Sequence, residues 1–169
     1  MAELTATGDR ALQMLALRDM ISKSSTLQDD VGATGETADK IATAKEYIIL
    51  LDADQPYTYP MVLITLPPND KEERITTNTF NSSGDFEVSI SREIPDAYSG
   101  TTYEEKSNSA IDFMNFYEGV KTDVKLLVAT GGSLLINSIS VIEGPGLVEN
   151  PNDINTYNYG IRLLVGFSF

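Results

Sequence analysis

The sequence predicts an α+β fold: a mixed, largely antiparallel sheet of about five or six strands, with a long helix packed on one face and short N-terminal helices. Three observations carry this. Helical patterns occupy the start of the chain and one long central stretch. Apolar, strand-like runs cluster between and after them. The closing stretch, "NTYNYGIRLLVGFSF" at 155–169, alternates with period two. Tyr157, Tyr159, Ile161, Leu163, Val165, Phe167 and Phe169 share one parity. Asn158, Gly160, Arg162, Gly166 and Ser168 share the other, and only Leu164 breaks the rule. Such alternation marks a strand with one buried face. Its cover is either the rest of the domain or another subunit.

Asp9 to Lys23, "DRALQMLALRDMISK", is rich in helix formers, with Thr7 or Asp9 as cap. Ala11, Met14, Leu17 and Ile21 form its apolar stripe, widened by Leu12 and Leu15. Ser25 and Gln28 have capping-box spacing and Gly32 is a stop, which predicts a short second helix. Glu36 to Lys45 predicts a third. The period then changes. "YIILL" at 47–51 and "MVLITL" at 61–66 read as buried strands separated by the prolines of "DADQPYTYP". "PPNDKEER" reads as a charged turn. Arg74–Phe80 and Asp85–Ser91 read as a hairpin across "NSSG". An irregular stretch follows from Ile94 to Glu105. Then comes the strongest helix, about 105–130, with Ala110, Phe113, Tyr117, Val120, Val124 and Leu127 on one side. Gly119 in its middle costs up to ~1 kcal/mol against alanine, which predicts close backbone packing or a bend. Gly131-Gly132 ends the helix, and "SLLINSISVIEG" supplies a strand before Pro145. The long helix provides a crossover connection. No internal repeat or linker divides the chain, so 1–169 reads as one domain.

Composition narrows function more than it names it. The 169 residues contain no cysteine and no histidine. Disulfides, thiolate chemistry, the commonest general base and the commonest transition-metal ligand are therefore excluded. Twenty-five acids against twelve bases give a net charge of −13, a field that repels phosphate backbones. The N-terminal stretch has no basic region of the kind that begins a secretory signal, and no apolar run nears the ~20 residues of a membrane span. A cytosolic protein, or one that leaves in a larger assembly, is expected.

The search for chemistry yields little. There is no Gly-x-Ser-x-Gly elbow and no phosphate loop, and "GATGETADK" follows a helix rather than a strand. Asp52 and Asp54 in "LDADQ" end an apolar strand, where hard cations often bind, but they lack a calcium loop's further ligands and read as a solvated loop. "NDKEER" reads as a solvated turn. The expectation is no enzyme, no catalytic residue, no metal and no cofactor. Tyr57, Tyr59, Tyr98 and Tyr103 lie in segments that read as irregular. Aromatics on loops are enriched at protein–protein contacts, so these four are the candidate interface residues.

Several stretches together resemble the tail-terminator (minor tail, or tail completion) proteins of long-tailed phages and prophages. "ALRDMISKSSTLQDDVGA" is similar to their leading helix and turn, with Leu27 where an aromatic often sits. "PMVLITL" and "SGDFEVSI" resemble their middle and central strands. "AIDFMNFYEGVKTDVKLLVATGGSLLINSISV" resembles their long helix, glycine stop and return strand, and "NYGIRLLVGFSF" their aromatic final strand. The tryptophan often found near that end is missing, and "NTFNSSGD" has no counterpart. The resemblance implies a virion structural protein, assembled in the host cytoplasm, that forms a homo-oligomeric ring, commonly a hexamer. That ring caps the tail tube, ends its polymerisation and joins the head. Its partners would be further copies of itself, the tail-tube protein and a head–tail connector. DNA would pass through without specific binding, and no membrane is involved. The competing readings are a head–tail connector or a tail-tube subunit, and beyond them a histidine-free carboxylate enzyme.

Overall fold

A computed structural model describes residues 9–50, 59–66, 71–74, 80–93, 102–129, 135–150 and 153–168. The described elements run α1 (Asp9–Ser22), α2 (Ser25–Asp30), α3 (Thr37–Lys45), β1 (Ile48–Leu50), β2 (Met61–Thr65), β3 (Lys71–Arg74), β4 (Phe80–Arg92), α4 (Tyr103–Ala129), β5 (Leu135–Asn150) and β6 (Asp153–Ser168). The expected α+β fold is what forms. Strands β1-β2-β4-β6-β5 lie side by side, and β3 pairs with the start of β4. Only β1 and β2 run parallel; the other pairs are antiparallel.

Register explains which strand faces meet the helices. Ile48, Val62, Ile90 and Ile161 lie opposite one another across four strands, and Ile64, Val88 and Leu163 form the next row. All are buried, together with Phe86 and Val165. Met14, Leu17, Met20 and Ile21 from α1, Leu27 from α2, and Phe113, Phe116, Tyr117, Val120 and Val124 from α4 close over them. The period of α4 is as the sequence predicts. That of α1 is rotated: Ala11 and Leu12 are exposed, while Gln13 and Met20 are buried.

β6 answers the question of cover. Tyr159 to Phe167 pair with β4 on one side, and β5 occupies the other, so over that stretch the ladder of β6 is completed within this chain. Phe113 of α4 stacks on Tyr159, with centroids 5.4 Å apart and planes 17° from parallel. Tyr159 therefore lies beneath the long helix, and Ile161, Leu163 and Val165 of the same parity are buried, while the side chains of Tyr157, Phe167 and Phe169 lie outside the described residues.

Helix ends are set by local chemistry. α2 is capped by Ser24 rather than Ser25: its Oγ accepts from the Leu27 N–H at 3.2 Å. At the other end Gly32 has φ 66°, with Gly32 N–H donating to Asp29 and Ala33 N–H to Gln28, a Schellman stop that favours glycine. α4 begins at Tyr103, two residues earlier than the sequence reading. Thr102 and Glu105 make a reciprocal capping box there: Glu105 N–H donates to Thr102 Oγ1, and Thr102 N–H to the Glu105 carboxylate.

Three strand boundaries also differ from expectation. "KEER" is β3, not a turn: Lys71–Arg74 pair with Ser83–Phe80, so "NSSG" is strand interior and the connection lies at 75–79, outside the described residues. Charged residues suit such an edge, where they discourage strand addition. β5 does not stop at Pro145. It continues to Asn150 through register shifts, one of them between Glu143 and Gly146, and a shift of this kind tolerates a proline.

Asp123 of α4 fastens α2 from ninety-nine residues away. Its Oδ2 accepts from Ser24 Oγ at 2.8 Å, Ser25 Oγ at 3.2 Å and Thr26 N–H at 3.0 Å. Burial by itself would raise this carboxyl, but the hydrogen bonds from Thr26, Ser24 and Ser25 outweigh it and hold it below the usual carboxylate range. Asp123→Ala is expected to cost about 1–2 kcal/mol, a value discounted for partial exposure. Because the folded pKa is depressed, Asp123 stabilises the fold above the unfolded value, and that contribution is lost as pH falls through the folded one. Acid denaturation of Asp123→Asn should accordingly be shallower than wild type, as circular dichroism against pH will show.

Candidate functional site

The described residues offer one polar cleft and two projecting arms. The cleft, about 430 Å³ and open to solvent, is lined by Thr26, Asp29, Asp30, Arg92, Asp112 and Phe116, with Asn115 at its side. Arg92 stands at the end of β4. One arm of its guanidinium meets Asp30 of α2 at 2.7 Å and the other meets Asp112 of α4. Its cation sits 5.3 Å from the centroid of the Phe116 ring. Burial raises the Asp30 carboxyl, Arg92 pulls it back down through charge and hydrogen bonding, and Asp112 raises it further. A buried, raised carboxyl in a cleft is a mark of acid–base sites. Here the same carboxylate is half of an ion pair joining β4 to α2, which is a fastening role.

The arms follow from strand register. β4 pairs with β6 only from Gly84 to Arg92, opposite Phe167 to Tyr159. Beyond Tyr159, among the described residues, β5 and β6 continue as a pair, out to Asn150 opposite Asp153. At the other end of the sheet, Phe80 to Ser83 of β4 pair with β3. Two-stranded arms thus leave the sheet in opposite directions. A two-stranded ribbon is marginal by itself in water and gains stability from packing against something. Leu147 on the longer arm is 58% exposed. The outer edge of β5 is interrupted by four register shifts, which oppose open-ended strand addition.

No known protein family matches the chain, and no curated protein does.

The four candidate interface tyrosines do not gather into one patch that can be described. Tyr57 and Tyr98 lie outside the described residues, as do Asp52 and Asp54. Tyr59 is half-buried beside the Asn158 amide at the base of the longer arm. Burial pushes its hydroxyl pKa up, Asn158 pulls it down and the Glu93 charge pushes it up. Tyr103 opens α4 instead of lying on a loop, and at 88% it is the most exposed of the large apolar side chains described. Among the described residues no group of three or more carboxylates could hold a metal ion. None of the described helices is long and apolar enough to cross a membrane.

Sequence reasoning missed both Arg92 and the arms. A lone arginine ending an apolar strand gives no local sign of its partners. The longer arm did leave one: from Glu143 to Gly160 the chain has three acids, two prolines and no base, a polar interval unlike the strand segments on either side.

Proposed function

We propose that this chain is a virion structural protein of a long-tailed phage or prophage, which caps the tail tube as a ring, ends tail polymerisation and forms the joining surface for the head. The observation that carries the reading is the pair of arms leaving opposite ends of one sheet. A ring needs two unlike surfaces on every subunit, one to give and one to receive. Elements at opposite ends of the fold meet that need without any covalent chemistry. The succession of leading helix, strands, long helix, return strand and aromatic final strand also agrees with the resemblance of the sequence to tail terminators. The charge of −13 suits a lumen through which DNA passes without adhering. The tail-tube protein would lie on one side of the ring and a head–tail connector on the other.

Light scattering on the purified protein tests the self-assembly in this reading. The expected result is a discrete species near six subunits. An open-ended tube would assign the chain to the tail tube instead, and a strict monomer at all concentrations would remove the self-assembling ring.

A further inference from the structure

We draw no further inference here: the strongest candidate, the apolar surface of β5 beside α4 on which Val141 and Leu147 stand exposed opposite Leu163 and Tyr159, carries nothing because no feature of the structure shows what covers it.

Discussion

Replacing Arg92 with methionine lowers folding stability by about 2–4 kcal/mol, read as a fall in the urea midpoint at unchanged slope. The reason is what the substitution leaves behind. The Asp30 side chain is only 14% exposed and that of Arg92 20%, so their attraction is shielded from water; Asp112, at 38%, is partly screened and contributes less. Methionine can still cover Phe116 but neutralises neither acid. Arg92→Lys should fall between the two, because a point charge cannot fork between α2 and α4. The pH dependence supplies an independent check. Without Arg92 both influences that lower the Asp30 pKa vanish, and burial drives it further up. An acid whose folded pKa exceeds its unfolded one binds protons on folding. The Arg92→Met variant should therefore regain stability as pH falls through that raised pKa, and the wild type should do so less. A midpoint shift below about 1 kcal/mol, or no recovery on acidification, would show that Arg92 is a surface residue energetically.

Gly119→Val is expected to destabilise by about 3 kcal/mol, near the upper end for overpacking. A Cβ at this position would lie 2.6 Å from Thr26 Oγ1 and 2.7 Å from Thr26 Cγ2, so α4 could not keep its seat against α2. Gly119→Ala should cost less, about 1–2 kcal/mol, since alanine returns up to ~1 kcal/mol of helix propensity. Thr26→Ala removes both clashing atoms. Combined with Gly119→Ala it should restore most of the lost stability, and the two changes would then be strongly non-additive in a double-mutant cycle. Additive losses would mean that the α2–α4 approach is not what requires glycine.

These two positions show what the sequence could and could not convey. Gly119 was legible because a glycine within a long helical pattern is locally costly and invites a packing reason. The stripe Phe113, Tyr117, Val120 and Val124 and the alternation of Ile161, Leu163 and Val165 were legible because period reports a buried face wherever one exists. The reading failed where tertiary pairing overrode local signals. "KEER" is polar enough for a turn, yet β4 extends past its neighbours and gives it a strand to pair with. Pro145 normally ends a strand, yet the register shift around it absorbs the missing donor. Arg92 with Asp30 and Asp112, and Asp123 with Ser24, join residues far apart in sequence, and no spacing rule connects them. The arms appear only once register shows where β4 stops and β6 continues.

The central claim is that this chain ends tail polymerisation. Electron microscopy of particles assembled with and without the chain, from the genome that encodes it, tests that most directly. Tails of fixed length joined to heads are predicted when it is present, and overlong, headless tubes of variable length when it is removed. Tails of unchanged length without it, or no tubes at all, would contradict the account; the latter result would make the chain a component of the tube.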